Sequence, residues 1–319
     1  MLGVFPASGG LGGSVVNHLA AAKADLSDCV FIARKPETLR ARPGVQEKHA
    51  VIRTADYDKH ETLEGVFDGV SVLLLISYAS IQNTHRFEAH KRAIESARRS
   101  GVRHVLYTSL AFAGPADSTS SVAQVMQAHL RTEAYLRDVH AQDPSFTYTV
   151  IREGIYSEST PLYTAFWSYA KPTDTIRIPH DGKGPGVAWV KQDELGEATA
   201  KLLVQAHDQP ETFEYKNKIL ILTGSRDWSL EETAKVLGKS VGMPVKVEQV
   251  SIDEYASQPQ VQSGLTYGAG QWATKWATAF QAIRDGATAT VTDDMRKILG
   301  REPEDFETTA MNLAKAARS

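Results

Sequence analysis

The sequence predicts an α/β fold in which a doubly wound parallel sheet carries helices on both faces. Two observations predict it. A short apolar run at Val4 and Phe5 breaks into a glycine-rich turn, and short apolar runs then alternate with helical patterns. The length of 319 residues and the 42% hydrophobic content suffice for one large domain and a smaller lobe.

The glycine-rich turn runs from Pro6 to Gly12 (PASGGLG), and apolar residues recur at helical spacing from Leu11 to Leu19. Glycines in a strand-to-helix turn let backbone N–H groups approach a pyrophosphate, which the positive end of the helix stabilises. Gly9 and Gly12 take the second and third glycine positions of such a turn, but Pro6 takes the first. Because proline fixes φ and lacks an N–H, the turn departs from the standard pattern. We expect a dinucleotide site here, and a purely structural turn is the alternative.

The second strand is predicted at residues 29–33, and it ends in Arg34 and Lys35 without a nearby carboxylate. An acidic residue at this point accepts the ribose hydroxyls of NAD, whereas a basic one favours the 2′-phosphate of NADP. The two cations therefore favour NADP(H). Alternatively, they only solvate the end of a loop.

Further strands are predicted at residues 51–52, 72–76, 104–107 and 148–151, and helices at residues 84–100 and 121–139. With the first two strands this gives six in the first ~150 residues, the number in a Rossmann sheet. We therefore predict an NADP-binding Rossmann domain over residues 1–152.

The pattern loosens after Ile151, where a turn at Asp181-Gly182 joins two extended pieces. Residues 153–319 are predicted to form a smaller, mainly C-terminal α+β substrate-binding lobe. Residues 187–224 are expected to return to the Rossmann sheet through a strand at 219–222. Substrate specificity is expected in the loops 156–189 and 261–287.

Helix signals continue in this second part of the chain. Ser229 with Glu232 and Ser251 with Glu254 form predicted capping boxes. Three aromatic residues lie four apart on one predicted helix and form either a core stripe or a pocket wall: Trp272, Trp276 and Phe280.

Several classes of function find no support in the composition. A net charge of −3 gives no signal for nucleic-acid binding. The single cysteine, Cys29, excludes an intrachain disulfide and is expected to be a small buried residue. Without a signal peptide or a membrane-spanning run, we expect a cytoplasmic protein with no membrane partner. No metal-ligand spacing and no G-x-S-x-G motif occurs, so neither a metal site nor a serine nucleophile is expected.

Motifs spaced along nearly the whole chain resemble those of the NmrA-like atypical short-chain dehydrogenases/reductases, and within them the type 2 NAD(P)H:quinone oxidoreductases. The motifs are PASGGLG at 6–12, GVRHVLYTS at 101–109, HLRTE at 129–133, REGIYSE at 152–158, GSRDWSL at 224–230 and GREP at 300–303. The resemblance implies an NADP(H)-binding Rossmann domain with a substrate lobe.

The resemblance also implies roles for particular positions. The pyrophosphate would lie on the glycine turn, the 2′-phosphate at the basic pair, the adenine beside residues 56–57, and the nicotinamide near residues 156–157. The implied cofactor-binding residues are Ser8, Gly9, Gly10, Leu11, Gly12, Arg34, Lys35, Asp56, Tyr57, Ser77, Tyr78, Thr108, His129, Tyr156 and Ser157. For each hydroxyl, a helix cap or a turn hydrogen bond is the alternative.

The catalytic residues are harder to place. Members of the wider superfamily use a Tyr and a Lys four residues later, but here His129 resembles the Lys position and Val125 stands four before it. His129 could hold a ribose hydroxyl or act as a general acid, since its unperturbed pKa lies near 6.5, or it could be structural. Ser109 and Tyr156 are the other catalytic candidates.

We predict an NADPH-dependent reductase that transfers hydride to a quinone, or to a conjugated carbonyl or iminium compound of secondary metabolism. A quinone explains the missing tyrosine, because hydride addition gives an aromatic hydroquinone anion that is already stable. The apolar cleft for this planar acceptor would use Tyr78, Tyr156 and Trp272. Two alternatives stay open: an NADP(H)-sensing regulator without turnover, and a non-redox isomerase or rearrangement enzyme. The chain is expected to be a monomer or a homodimer.

Overall fold

The computed structural model describes residues 1–265 and 272–318. The strands are β1 (Leu2–Phe5), β2 (Cys29–Ala33), β3 (Val51–Thr54), β4 (Val72–Ile76), β5 (His104–Leu110), β6 (Thr147–Glu153), β7 (Thr175–Ile178), β8 (Lys218–Leu222) and β9 (Lys246–Gln249). The helices are α1 (Gly10–Ala22), α2 (Glu37–Arg40), α3 (Asn83–Arg99), α4 (Gln127–Gln142), α5 (Thr160–Tyr163), α6 (Gln192–Asp208), α7 (Leu230–Val241), α8 (Ile252–Ser257), α9 (Pro259–Gly264), α10 (Trp272–Trp276), α11 (Thr278–Arg284), α12 (Asp294–Leu299) and α13 (Phe306–Ala316).

A seven-stranded sheet with the order β3-β2-β1-β4-β5-β6-β8 organises the fold. β1 pairs in parallel with both β2 and β4, and the pairs β2–β3 and β4–β5 are parallel as well. The strand order therefore reverses between β1 and β4, which is the point where open α/β sheets bind ligands. The predicted Rossmann fold is confirmed, and β8 adds to the sheet as expected.

The turn between β1 and α1 depends on a close approach of two backbone segments. A Cβ atom added to Gly12 would lie 2.2 Å from the carbonyl oxygen of Pro6 and 3.1 Å from the carbonyl carbon of Ala7. Any side chain at position 12 would therefore push α1 away from the end of β1. Proline at position 6 is compatible with the turn, because α1 still begins at Gly10 directly after it.

The chain divides into two compact units, of which the first is residues 1–109, 128–152 and 192–220. Its core contains the inward-facing residues of the central strands and helices, among them Phe5, Tyr57, Leu75 and Tyr107, each at most 3% exposed. Cys29 is also fully buried, and burial raises the pKa of its thiol to about 12. The cysteine is thus a small core residue, as predicted.

The second unit is residues 110–127, 153–191 and 221–319. In it β7 and β9 form a separate parallel pair. The turn at Asp181-Gly182 is present, with φ 85° at Gly182, but the strand before it pairs with β9 and not with the piece after the turn. The assignment of a cofactor domain to residues 1–152 and a substrate lobe to residues 153–319 stays a prediction.

Both predicted capping boxes are present. The side chains of Ser229 and Ser251 accept hydrogen bonds from the backbone N–H groups of Glu232 and Glu254, at 3.1 and 3.2 Å. Each glutamate in turn accepts from the backbone N–H of its serine. These contacts satisfy N–H groups that the first turns of α7 and α8 would otherwise leave without partners.

Two predicted helices differ from the structure. The helix predicted over 121–139 begins only at Gln127, because the hydroxyl of Ser121 accepts from the N–H of Ala123 and holds a local turn. The aromatic stripe does not lie on one helix, since a turn at Ala277 separates α10 from α11. Among the described residues, no helix is both long and apolar enough to cross a membrane.

We expect Gly12→Ala to lower the free energy of unfolding by about 1–3 kcal/mol, because the new methyl group overlaps backbone atoms that cannot move independently. Urea unfolding followed by circular dichroism measures the change. Gly9→Ala is the matched control, because a Cβ atom at Gly9 meets no atom within 4 Å. Equal stability of the two variants would contradict the close-approach argument.

Candidate functional site

The glycine turn leaves backbone N–H groups available at the start of α1. Gly9 is the N-cap residue in an extended conformation, and no side chain caps the helix there. Such first-turn N–H groups need partners, and together with the helix dipole they favour an anion. Leu11 is 5% exposed, so only its backbone can face a ligand, whereas Ser8 is half-buried. The residues predicted to lie along the pyrophosphate, which we call the glycine cradle (residues 8–12), thus come together at the switch point of the sheet.

Arg34 and Lys35 are both exposed at the end of β2. A neighbouring carboxylate, Asp58, accepts hydrogen bonds from the hydroxyl of Tyr78 at 2.8 Å and contacts Nε2 of His85 at 3.0 Å. The Tyr78 hydrogen bond is the main cause of a lowered Asp58 pKa, to which Arg34 also contributes. Arg34 therefore lies within electrostatic reach of a carboxylate that the sequence analysis did not identify.

Tyr57 and Asp56 occupy different environments although they are adjacent in the chain. Tyr57 is 3% exposed, packs against Phe5 with ring centroids 4.5 Å apart, and donates its hydroxyl proton to the carbonyl of Ile76 at 2.8 Å. Asp56 is half-buried and accepts from the N–H of Asp58 at 3.1 Å. The structure thus uses Tyr57 as a core residue, and only Asp56 remains at the surface.

A hydrogen-bond network joins the ends of β4 and β5. Thr108 accepts from the N–H of Ser77 at 3.0 Å, and the Ser77 hydroxyl accepts from Nη2 of Arg86 at 2.7 Å. Nε2 of His90 accepts from the N–H of Tyr78 at 2.8 Å, so this nitrogen carries no proton. Burial is the main reason why the pKa of His90 lies well below its usual value. The hydroxyls of Ser77 and Thr108 therefore both take part in local hydrogen bonds. A local hydrogen bond is the alternative that the sequence analysis named for each hydroxyl.

His129 lies on α4, where its Nδ1 is 3.0 Å from the hydroxyl of Tyr107. The residue is 3% exposed, and burial, followed by the charge of Arg86, holds its pKa well below the usual value. The imidazole is therefore uncharged at neutral pH. It can exchange hydrogen bonds with a ligand hydroxyl, but it does not hold the extra proton of an imidazolium acid.

Ser109 belongs to a buried ion pair. Its hydroxyl donates to Oε1 of Glu133 at 2.6 Å. The Glu133 carboxylate also accepts hydrogen bonds from Nε and Nη2 of Arg152, at 3.0 and 2.7 Å. The side chains of Glu133 and Arg152 are 1% and 0% exposed. The proton of the Ser109 hydroxyl is thus directed to the ion pair, and a catalytic role for Ser109 stays a prediction.

In the second unit, Tyr156 donates its hydroxyl proton to Oε2 of Glu153 at 2.7 Å. Glu153 is 3% exposed, and burial raises its pKa to about 8. Oε1 of Glu153 and the hydroxyls of Ser157 and Thr223 are buried and have no hydrogen-bond partner among the described residues. Buried polar atoms of this kind are rare in proteins and mark places where a ligand or a proton can be accommodated.

The second unit also contains a cavity of about 520 Å³, lined by residues of the segments 164–177 and 258–260. Ala165 and Phe166 beside it adopt the left-handed conformation, with φ 51° and 58°. The first segment falls within the loop 156–189 that was expected to carry specificity. Tyr156 is not among the described residues that line the cavity.

The aromatic stripe mainly packs in the interior of this unit. Trp276 is 9% and Phe280 1% exposed, and Nε1 of Trp276 donates to the carbonyl of Leu162 at 3.0 Å. Trp272 is only half-buried and carries Lys275 over its ring at 4.9 Å. Residues 266–271 of the second predicted specificity loop lie outside the described residues.

Sequence reasoning missed Arg86, His90 and Glu153. Glu153 had a usable signal, since it ends β6 inside the REGIYSE motif and precedes Tyr156 by three residues. Arg86 and His90 lie on α3, whose sequence has many polar residues, as is usual for a helix at the surface, so neither residue stands out. Only the packing of α3 on the sheet brings them to Ser77.

A glycine turn at the switch point of a sheet with this strand order defines a dinucleotide-binding Rossmann fold. Residues 1–274 match the model of the NmrA-like family, and the chain belongs to that family. The family resemblance drawn from the sequence motifs is thereby confirmed.

Three similar proteins illustrate the relationship. The chain is 30% identical over 300 residues to the NmrA-like family domain-containing oxidoreductase flvB of Aspergillus flavus, covering 93% of this chain and 89% of the relative. It is 28% identical over 258 residues to quinone oxidoreductase 2 of Escherichia coli, covering 81% and 80%. The crystal structure of Citrobacter sp. triphenylmethane reductase complexed with NADP(H) is 25% identical, with a TM-score of 0.77 and coverage of 98% and 100%.

We expect Glu133→Gln to lower the free energy of unfolding by about 3–5 kcal/mol, because it leaves the buried charge of Arg152 without its carboxylate. Urea unfolding measures the loss. The control is Glu64→Gln, which breaks the exposed pair with Arg99 and should cost at most about 1 kcal/mol. Similar losses in both variants would argue against a structural role for the buried pair.

We expect Glu153→Gln to change how stability depends on pH. The pKa of Glu153 is raised from 4.5 to about 8 on folding, so the folded chain holds one more proton within this window. Its contribution to stability is complete below the unfolded pKa and is lost as pH rises through the folded one, by up to about 1.4 kcal/mol per pH unit.

Urea unfolding of wild type and variant at several pH values between about 5 and 8 measures this slope. The glutamine variant should lack the decline. The control Glu158→Gln, at a half-buried residue of the 3₁₀ helix Ser157–Ser159, should retain it. Parallel slopes for wild type and Glu153→Gln would show that the Glu153 carboxyl does not titrate in this window.

Proposed function

We propose that this protein is an NADPH-dependent reductase that transfers hydride to a quinone or to a similar conjugated carbonyl or iminium compound. The observation that carries the proposal is the glycine cradle at the switch point of the sheet, where Gly9 leaves the first turn of α1 without a side-chain cap. The named activities of the two sequence relatives and the NADP(H) complex of the Citrobacter reductase support it.

The residues of the cradle fit a dinucleotide. A Cβ atom on Gly9 would project into open space in front of the helix, so a larger residue would fill the cradle, whereas glycine leaves room for a pyrophosphate. A Cβ atom on Gly10 would come within 3.0 Å of the Gln192 side chain. Gly9, Gly10 and Gly12 thus keep this end of α1 open and close to β1.

The end of β2 fits the 2′-phosphate of NADP(H) better than the ribose diol of NAD. Arg34 and Lys35 stand where a carboxylate would accept the diol, and both are exposed. Asp58, whose pKa Arg34 helps to lower, is held in place by Tyr78 and His85. We infer that Arg34 contacts the 2′-phosphate of NADP(H). The side chains of Tyr78 and His85 hold the Asp58 carboxylate by their contacts with it.

Bound NADPH would supply the hydride, and the residues of the chain would bind and orient the two reactants. The uncharged His129 would accept or donate a hydrogen bond at a ribose hydroxyl, as its position on α4 implies. Tyr156 and Ser157 would lie beside the nicotinamide. Positioning contributes most for a quinone, whose reduced anion is stable without immediate protonation.

The cellular role is a further part of the proposal. A reductase of this kind would act on soluble conjugated intermediates of secondary metabolism in the cytoplasm. The monomeric or homodimeric state stays a prediction of the sequence analysis, as do the alternatives of a regulator without turnover and of a non-redox isomerase.

Calorimetric titration of the purified protein with NADPH and NADH tests the cofactor assignment. Arg34→Ala should weaken NADPH binding by about 10- to 100-fold, because one charge-assisted hydrogen bond is lost, and should leave NADH binding nearly unchanged. Arg92→Ala, an exposed arginine on α3, is the matched control and should bind both cofactors as wild type does.

A quinone panel added to the NADPH complex, followed at the nicotinamide absorbance band, tests the reaction. Oxidation of NADPH that depends on the quinone is the expected result. Tight binding of NADPH without oxidation by any acceptor would favour a regulator, and product formation without NADPH consumption would favour an isomerase. If Arg34→Ala bound NADPH with the affinity of wild type, the contact between Arg34 and the 2′-phosphate would be refuted.

A further inference from the structure

The cavity of the second unit has no role in the proposed function. Its volume is about 520 Å³, and the segments 164–177 and 258–260 supply its described lining residues. All of these residues belong to the second unit. Pockets for small organic molecules measure about 300–1,000 Å³, so this cavity is large enough to hold one.

Two aromatic side chains, Phe166 and Trp167, line the cavity. Trp167 is 6% exposed, and its Nε1 donates to the carbonyl of Thr173 at 2.9 Å, which fixes the plane of the indole. The ring of Phe166 lies against Gly264, where an added Cβ atom would come within 2.3 Å of Cε1 of the ring. Ile176, 2% exposed, adds an aliphatic surface. Such a lining favours a ligand with a planar apolar body.

The backbone that carries these rings has an unusual conformation. Ala165 and Phe166 are consecutive non-glycine residues with positive φ, 51° and 58°. The backbone N–H groups of Thr164 and Phe166 both donate to the carbonyl of Pro161, at 3.3 and 2.6 Å, and hold the turn. Left-handed residues other than glycine cost free energy and concentrate at functional sites such as ligand clamps. The turn therefore supports a binding role for the cavity that it borders.

Several neutral polar groups of the lining are already engaged within the protein. Nε2 of Gln258 donates to the carbonyl of Arg177 at 2.9 Å. The hydroxyl of Thr173 donates to the carbonyl of Thr175 at 3.1 Å, and the Thr175 hydroxyl donates to Oδ1 of Asp174 at 2.9 Å. The hydrogen atoms of these three side chains are thus directed to protein oxygens. A ligand has to find its polar partner elsewhere on the lining.

The charged groups of the lining are both cations. Lys171 and Arg177 line the cavity, and no carboxylate does so among the described residues. Arg177 stands opposite Glu248 across the β7–β9 pair, with Nε 3.1 Å from Oε1, and its Nη2 is 3.9 Å from Glu254. Lys171 is exposed and has no ion pair within the described part of the chain. A positive charge without a counter-charge beside an apolar cavity attracts an anion.

We propose that this cavity binds a small aromatic anion, with its ring between Phe166 and Trp167 and its acid group at the ammonium of Lys171. Because Lys171 is exposed, the acid group keeps part of its hydration while the ring is removed from water. The ammonium then contributes through a charge-assisted hydrogen bond. The proposal goes beyond the reductase function and is independent of it, since it involves residues of the second unit alone.

Three ligands that share one ring system and differ in charge test the proposal. They are the anion naphthoate, the neutral naphthamide and the cation naphthylmethylammonium. Each is titrated by calorimetry into the full chain without NADPH. The proteins are wild type, Lys171→Met, Phe166→Leu and the control Lys183→Met, which changes an exposed lysine of the same unit that is not among the described lining residues. Circular dichroism checks that each variant is folded.

We expect wild type to bind naphthoate most tightly and naphthylmethylammonium most weakly. Lys171→Met should weaken naphthoate binding by about 10-fold and leave naphthamide binding nearly unchanged, because only the anion uses the charge-assisted hydrogen bond. Phe166→Leu should weaken all three ligands by about 2- to 10-fold, since each loses the same aromatic contact. Lys183→Met should bind all three as wild type does. Added salt should weaken naphthoate but not naphthamide.

The proposal would be overturned if wild type bound none of the three ligands, or bound naphthoate and naphthamide equally. Unchanged naphthoate affinity in Lys171→Met, or an equal loss in Lys183→Met, would also overturn it. The reductase function is tested separately, because these titrations contain no cofactor. Failure of NADPH oxidation with every acceptor would therefore refute that function and leave the aromatic anion site standing.

Discussion

The ion pair between Glu133 and Arg152 is the interaction on which the ligand-facing edge of the first unit depends. It joins α4 to β6, and the hydroxyl of Ser109 on β5 completes it at 2.6 Å. Removing two charges from water costs several kcal/mol per ion, and only good bidentate geometry repays that cost. The pair consequently tolerates few arrangements of these three elements, and it fixes where α4 presents His129.

Around this pair, the strand ends contain polar groups whose hydrogen bonds are largely internal. The hydroxyl of Thr108 accepts from the backbone N–H of Ser77. The hydroxyls of Ser77 and Ser109 are hydrogen-bonded to side chains of the first unit, those of His90 and Glu133. Desolvation keeps the nearby His90 and His129 uncharged. Such an edge offers fixed dipoles and neutral rings, which suits the binding of a cofactor whose chemistry needs orientation more than charge.

The sequence predicted the fold well because its signals are local. The glycines of the β1–α1 turn, the apolar runs of the strands and the Ser-x-x-Glu capping boxes each act within a few residues, and the structure contains all of them. The errors occurred where distant residues decide. Tyr57 became a core residue because Phe5 and the Ile76 carbonyl lie beside it, and the aromatic stripe broke at Ala277 between two helices.

By itself, the sequence predicted the strands β1–β6 and β8, the glycine turn after β1 and the basic pair at residues 34–35, since backbone conformation and side-chain type suffice for these. The tertiary structure decided which partners the titratable groups have and therefore whether their charged forms are favoured. Glu133 lies within α4 and Glu153 ends β6, yet Glu133 is paired with Arg152 whereas Glu153 is buried without a cationic partner among the described residues. Their difference depends on desolvation and on partners far apart in the chain, which no local pattern encodes.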